Sequence, residues 1–241
     1  MLYSIGAIVN PPPLPSSRRP IWRYGRRVIK SYPSRPSFNW RLLGGAVAPI
    51  LFVATFTALG RHRPGYDWRR DAVSSLAVPP GGTPQRFNFI VTGLLFAAAG
   101  DELRHRRAIP RGAAWLTEGA GVGLLGSGVW VTDAVAGEPA HPAFTRASHL
   151  HNISALPIFL GIPVAALISS VSAARERAWL WSAISGAAGI LMPGFFICFG
   201  LSTGPAPALA GKGGIFQRLS IGAGFGWVGG ACIRAVQASR R

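Results

Sequence analysis

The chain has 241 residues, of which 49% are hydrophobic and only 14% are charged. Soluble domains carry about 25% charged residues, so this composition excludes an ordinary soluble protein and indicates a surface that faces hydrocarbon. The formal net charge of +17 comes almost wholly from arginine. The arginines cluster at the ends of apolar segments, which favours a membrane partner over nucleic acid.

Residues 1–37 differ from the rest of the chain. A proline run at Pro11–Pro13 precedes a series of arginines, and no acidic residue occurs before Asp67. This pattern predicts a disordered basic tail that contacts anionic lipids, with an organellar transit peptide as the alternative. The two cysteines, Cys198 and Cys232, lie within apolar segments, which argues against a disulfide framework.

Residues 38–238 are predicted to form an all-α membrane domain of six transmembrane helices in one bundle. Each apolar segment is near the length of about 20 residues that crosses a bilayer as a helix, and none alternates as a barrel strand does. The six predicted spans are Leu42–Gly60, Phe87–Leu103, Ala113–Thr132, Leu150–Val171, Ala178–Leu201 and Ile215–Val236.

Basic residues in the connections predict the orientation of these spans. The tail, the connection after the second span, the connection after the fourth span and the C-terminal end are all basic, and six spans place them on one side. The positive-inside rule makes that side, and both termini, cytoplasmic. The exception is the first outer connection, where five arginines lie between Arg61 and Arg86. Asp67 and Asp71 are the nearest partners for that charge.

Polar residues from four regions should meet at the outer side. Ionisable groups at the membrane interface are costly, so they tend to pair or to serve a site. The candidate site comprises Asp67, Arg70, Asp71, Ser74, Ser75, Asp133, His149, His151, Asn152, Gln217 and Arg218, with Glu138 and His141 nearby.

Local spacing gives roles to some of these residues. If Asp71 begins a short interfacial helix, Ser74 and Ser75 share its face, and Asp71 is also a candidate N-cap. His149 and His151 are two residues apart, so they point to different faces of a helix and do not suggest a shared metal ion. No metal and no cofactor is predicted. Glu118 lies near the cytoplasmic side and could pair with Arg234.

Glycines in the third span resemble a nucleotide-binding motif without its context. Gly121, Gly123 and Gly126 fit the pattern G-x-G-x-x-G, but no strand precedes them. Such glycines in a membrane helix instead predict close packing through a small-residue face, here Gly119, Gly123 and Gly126–Gly128.

Two stretches resemble the domain-of-unknown-function 998 family of multi-pass membrane proteins. They are residues 63–76, which contain Arg-Pro-Gly-Tyr-Asp and Arg-Asp-Ala-Val-Ser-Ser-Leu, and the Phe-Asn-Phe-Ile start of the second span at Phe87. His149–Asn152 and Gln217-Arg218 also fit the family's pattern. The resemblance covers about Leu42 to Val236. It implies a six-helix membrane domain and no established activity.

Three functions fit these residues. The outer cluster could be an ion-pair network that docks a folded lid over the bundle, it could bind a lipid headgroup or small anion through its arginines, or it could be the site of a membrane-embedded lipid hydrolase. The sequence favours a structural or binding role.

Overall fold

Six long α-helices make up most of the residues that the computed structural model describes, which are 39–133, 145–203 and 206–239. No strand occurs in these ranges. Two short 3₁₀-helices, Val73–Ala77 and Pro207–Leu209, lie in the connections. The long helices are α1 (Trp40–His62), α2 (Thr83–His105), α3 (Arg111–Val129), α4 (Arg146–Arg175), α5 (Trp179–Ser202) and α6 (Gly213–Ala238). The predicted tail, Glu138 and His141 lie outside the described residues.

Local sequence signals set several helix ends. The Asn39 side chain caps α1 by accepting a hydrogen bond from the Leu42 amide at 3.1 Å, and Thr145 caps α4 through the Ser148 amide at 3.3 Å. α2 begins directly after Gly81-Gly82 with Pro84 in its first turn. Pro is tolerated there because the first amides of a helix have no partner within it.

α4 is continuous but contains one wide turn. Its residues Pro157–Gly161 form a π-helical turn between two α-helical stretches. Proline lacks the amide hydrogen that the regular helix needs, and a π turn is one way in which a helix absorbs that loss. The predicted fourth span therefore crosses its prolines without breaking.

Each long helix packs against its neighbours in the chain, and α6 returns to pack against α1, which closes a ring. Aromatic side chains fill the centre of that ring. The Phe225 ring lies 5.1 Å from Phe52 and 4.9 Å from Phe96, between ring centroids. Serine hydroxyls join neighbouring helices, as where Ser170 donates to the Ser182 carbonyl at 2.8 Å.

The outer surface of the ring is apolar. Large aliphatic side chains such as Ile50, Leu160, Leu180 and Ile190 are at least 60% exposed. Exposed apolar surface on this scale marks a surface that is covered by something other than water. By length and composition, α1, α4, α5 and α6 are long and apolar enough to cross a membrane. These features suggest an integral membrane protein.

The small-residue face of α3 differs from the predicted one at a single position. A Cβ atom at Gly119 would meet nothing within 4 Å, so this glycine is not at a helix contact. Gly121 takes that role instead, because a Cβ atom on it would lie 2.7 Å from the Gly93 carbonyl oxygen of α2. Gly123 and Gly126 face α4, and Gly128 faces α2 as expected of small residues at contacts.

We expect Gly93→Ala to destabilise the fold. The added Cβ would lie 2.7 Å from the Gly121 carbonyl oxygen and 2.9 Å from the Leu125 amide, both of which belong to the backbone and cannot rotate away. Overpacking of this kind costs about 1–3 kcal/mol. The measurement is the thermal unfolding midpoint in detergent. Gly119→Ala is the matched control and should keep the wild-type midpoint; equal losses in both variants would contradict the assignment.

Candidate functional site

The first connection, residues 63–82, folds over one end of the helix ring, and we call it the lid. Contacts with the lid define the lid end, which also contains the start of α6. Asn39 and Glu102 meet at the opposite end, where the side-chain amide of Asn39 donates to the Glu102 carboxylate at 2.6 Å.

The lid and the start of α6 complete each other's backbone hydrogen bonds. The carbonyl oxygens of Arg69 and Arg70 accept from the amides of Ile215 and Gly214 at 3.1 and 3.0 Å. In return, the Gln217 side-chain oxygen accepts from the Val73 amide at 2.6 Å. The first amides of a helix need such partners, so α6 cannot form its first turn properly without the lid.

The Arg218 side chain of α6 is hydrogen-bonded to the lid. Its Nη1 donates to the carbonyl oxygens of Trp68 at 2.8 Å and Asp71 at 3.3 Å, and its Nη2 donates to the Tyr66 hydroxyl. The guanidinium also lies 5.3 Å from the centre of the Phe56 ring. The sequence predicted Arg218 as a snorkelling residue or an anion ligand; most of its acceptors lie in the lid, and Nη1 also donates to the Gly214 carbonyl oxygen of α6 at 2.9 Å.

Asp71 organises the lid through a backbone hydrogen bond and an ion pair, of which the sequence predicted only the pairing with an arginine. Residue 72, not Asp71, precedes the short helix Val73–Ala77, so the predicted N-cap and shared face with Ser74 and Ser75 are wrong. The Asp71 carboxylate instead accepts from the Asp67 amide at 2.8 Å and pairs with Arg70 at 2.8 Å. This hydrogen bond raises the pKa of Arg70. Asp71 is 9% exposed.

Two further arginines of the lid end bind backbone carbonyls. Arg63 donates to the carbonyl oxygens of Val78, at 2.9 Å, and Pro80. Arg86 donates to those of Gly128, at 3.0 Å, and Val129, at 3.2 Å, at the end of α3. Helix ends leave carbonyl oxygens unpaired, and these guanidinium groups satisfy them. Three of the five arginines from Arg61 to Arg86 therefore have internal partners, since Arg63 and Arg86 bind carbonyl oxygens and Arg70 pairs with Asp71.

Ser74, His151 and Gln217 line one small cavity inside the lid end, together with Ser127. Its volume is about 30 Å³. The Nδ1 atom of His151 lies 2.9 Å from the Trp130 carbonyl oxygen. The Ser127 hydroxyl is buried and has no hydrogen-bond partner among the described residues. A cavity of this size holds about one water molecule.

The remaining predicted site residues lie apart from this cavity. Asp133 accepts from the Thr145 amide at 2.6 Å and from the Thr145 hydroxyl at 2.7 Å, which fixes the start of α4. The Ser75 hydroxyl donates to the Ala72 carbonyl within the lid. His149 and Asn152 are exposed. Within the described residues, no three His, Cys, Asp or Glu side chains are arranged to hold a metal ion.

A second, larger opening lies at the lid end between α1 and the lid, and we call it the groove. Its volume is about 260 Å³. Aromatic rings form much of its wall, and two arginines lie on it. The lining residues are Phe56, Thr57, Gly60, Arg61, Tyr66, Trp68 and Arg218. Of these residues, Tyr66 belongs to the Arg-Pro-Gly-Tyr-Asp stretch, but no sequence pattern gave it or Phe56 a role. The only signal for Phe56 was an aromatic residue one turn from the end of an apolar span.

Three acidic residues near the opposite end, Asp101, Glu102 and Glu118, each lie beside an arginine. Asp101 bonds to Arg41 at 2.8 Å, and Glu102 to Arg106 at 2.5 Å. Glu118 lies 3.7 Å from Arg104 rather than beside Arg234, which corrects the suggested Glu118–Arg234 pair.

Comparison with known proteins identifies a family without an assigned activity. The sequence model of a family described as "Protein of unknown function (DUF998)" matches residues 46–234. No curated protein and no solved structure matches the chain.

We expect Arg218→Lys to destabilise the lid even though it keeps the charge. Lysine cannot reproduce the fork that reaches two carbonyl oxygens and the Tyr66 hydroxyl at once. Each lost hydrogen bond from a charged donor costs about 1.5–3 kcal/mol. The measurements are the thermal midpoint and the rate of proteolysis within residues 63–82. Arg69→Lys is the matched control, since Arg69 only stacks on Trp68; cleavage rates that stay the same in both variants would refute this role.

We expect the Tyr66 phenol to ionise at a higher pH than an exposed tyrosine. Burial raises the pKa of its phenol, and Arg218 opposes that rise in part. A raised folded pKa means that Tyr66 contributes stability below its unfolded pKa of about 10, and this contribution is lost as the pH rises through the folded pKa. The other three tyrosines lie within residues 1–37. An absorbance titration of wild type minus Tyr66→Phe isolates the Tyr66 phenol, and a midpoint at or below the unfolded pKa would contradict the prediction.

Proposed function

Because the chain belongs to the DUF998 family of proteins of unknown function, whose description names no activity, we propose a function from its geometry. It is a six-span integral membrane protein that binds the head of a membrane phospholipid in the groove beside the lid. The main observation in support of this proposal is the groove, whose aromatic wall lies next to an exposed arginine, Arg61.

The exposed faces of α2 and α3 support six spans. On α2, Phe87, Val91 and Leu94 are 46–60% exposed at spacings of four and three residues. On α3, Trp115, Val122 and Val129 are 51–60% exposed at spacings of seven. Such stripes are what a helix directs at hydrocarbon when its other face is packed. Asp101 and Glu102 at the end of α2 lower its overall hydropathy without changing this face.

The distribution of arginine supports a cytoplasmic location for both termini. At the lid end, Arg63, Arg86 and Arg218 are bound to internal carbonyl oxygens, so they carry less weight as signals of orientation. At the opposite end, Arg107 and Arg177 lie in short connections, and Arg111 is the first residue of α3. By the positive-inside rule, these arginines favour a cytoplasmic location for the end of the ring opposite the lid. The basic tail then lies beside the anionic cytoplasmic leaflet.

The depth and chemistry of the groove suit a phospholipid. Phe56, Thr57 and Gly60 belong to the last two turns of α1, where that helix leaves the proposed hydrocarbon layer. Aromatic side chains are favoured at this level because one end is apolar and the other is wet. Arg61 makes no hydrogen bond or ion pair with another described residue, so its guanidinium remains available for a phosphate, which it can bind with two parallel hydrogen bonds.

The small cavity gives little support to the alternative of a lipid hydrolase. It brings Ser74 and His151 to one space, which a serine hydrolase would need, but no carboxylate lines it. A volume of about 30 Å³ admits one water molecule and excludes an ester. The cavity therefore favours a role in hydrating the buried polar groups around it.

The test is phospholipid retention by the purified protein, measured by native mass spectrometry. We expect Arg61→Gln to reduce retention about tenfold, the loss of roughly one charge-assisted hydrogen bond. Thr57→Trp should do the same by filling the groove, since Thr57 is exposed on its wall.

Arg69→Gln is the control, because Arg69 is an exposed lid arginine that does not line the groove. It should retain lipid like the wild type. Wild-type retention of phospholipid in both Arg61→Gln and Thr57→Trp would contradict the proposal. An equal loss of retained lipid in Arg69→Gln would indicate non-specific attraction by positive charge and would contradict a specific site in the groove.

A further inference from the structure

A pocket of about 280 Å³ opens at the opposite end of the ring, far from the lid. Four elements form it: the α2–α3 connection, the end of α4, the start of α5 and the end of α6. Its polar lining residues are Arg107, Arg111, Arg234, Ser169, Ser172 and Glu176, and Trp181 forms part of the wall. None of these residues belongs to the groove or to the predicted outer cluster.

The charge of this pocket is uncompensated. Three guanidinium groups face one carboxylate, and among the described residues no ion pair joins any of the four. Glu176 instead accepts a hydrogen bond from the Ser172 hydroxyl at 3.3 Å. The Arg234 guanidinium lies 5.4 Å from the centre of the Trp181 ring, which holds it in place by a cation–π contact.

Two buried donors on the pocket wall have no partner within the described residues. They are the Ser169 hydroxyl, on a residue that is 2% exposed, and Nη1 of Arg234. Buried polar atoms are nearly always hydrogen-bonded, and an unpaired donor on a charged group is especially costly. Two such donors on one pocket wall make the pocket suited to an acceptor.

The backbone adds further attraction for an anion. Pro110 and Arg111 line the pocket at the start of α3, and no side chain caps that helix. The first amides of a 19-residue helix therefore lack side-chain acceptors at its positive end. Helix N-termini bind phosphate through these amides and through the helix dipole.

We propose that this pocket binds a phosphate monoester, with Arg234 and Ser169 as its inner ligands and Arg107 and Arg111 as its outer ones. A phosphate monoester carries a charge of about −1.5 to −2 and three acceptor oxygens, which suits three arginines better than the single charge of a phosphodiester does. The volume of about 280 Å³ is several times that of a water molecule, at about 30 Å³, so it accepts a phosphate with a small polar group attached.

Two sources of this group are separable with the full-length protein in phosphatidylcholine nanodiscs. One arm adds inorganic phosphate or glycerol phosphate at constant ionic strength. The other arm places phosphatidic acid, a lipid monoester, in the nanodisc, with phosphatidylglycerol as the diester comparison. Ligand binding to the native state raises the thermal midpoint as ligand concentration rises. Stabilisation by phosphatidic acid alone identifies a lipid headgroup, and stabilisation by the soluble esters as well identifies a free phosphate site.

Arg234→Gln and Ser169→Ala should each raise the concentration needed for half-maximal stabilisation, by about tenfold for the arginine. Ser169→Ala is a small change that preserves the fold if the arginine variant does not. Arg175→Gln is the matched control, because Arg175 is exposed at the end of α4 and does not line the pocket. No stabilisation by any monoester, or the same loss in Arg175→Gln, would overturn the proposal. Arg61→Gln should leave the response to soluble glycerol phosphate unchanged, which separates the pocket from the groove.

Discussion

The lid end depends on backbone hydrogen bonds that cross between elements. Carbonyl oxygens of Arg69 and Arg70 complete the first turn of α6, while Gln217 and Arg218 of its second turn complete the lid. Each element supplies what the other lacks, so neither is satisfied alone. Where helices face hydrocarbon, water is not available to replace missing hydrogen-bond partners. The small cavity and the groove both take their shape from this mutual capping.

The arginines that supply most of the net charge of +17 have two different roles in the folded chain. At the lid end, Arg63, Arg86 and Arg218 bind carbonyl oxygens, since a guanidinium can reach several acceptors in one plane, while Arg61 stays unpaired among the described residues, beside the groove. At the opposite end, Asp101 and Glu102 pair with Arg41, Arg104 and Arg106, yet a neighbouring pocket keeps its arginines unpaired. The same residue type is thus structural where acceptors are internal and available where they are not. Only the second arrangement requires a ligand.

The sequence predicted the helices well and the contacts poorly, for a physical reason. Apolar runs of about 20 residues favour helices whatever their neighbours, so all six predicted segments coincide with helices, four of which are long and apolar enough to cross a membrane. The acceptors of Arg218 are main-chain oxygens of residues about 150 positions away, and no spacing rule reveals them. Asp71 was misassigned as a helix cap because the short 3₁₀-helix begins at Val73, after residue 72. The pocket of Ser169 and Arg234 was missed, although an arginine within an apolar segment was a usable signal.

α6 connects the groove to the phosphate pocket. Arg218 in its first two turns lines the groove, and Arg234 near its end lines the pocket. Sixteen residues separate them, which is about 24 Å along a helix at 1.5 Å per residue. The hydrocarbon layer of a bilayer is about 30 Å thick. Two arginines at this separation suit the two polar boundaries of a membrane, so a lipid in the groove and a phosphate in the pocket would belong to opposite leaflets. At that distance, substitutions in one site should act independently of the other.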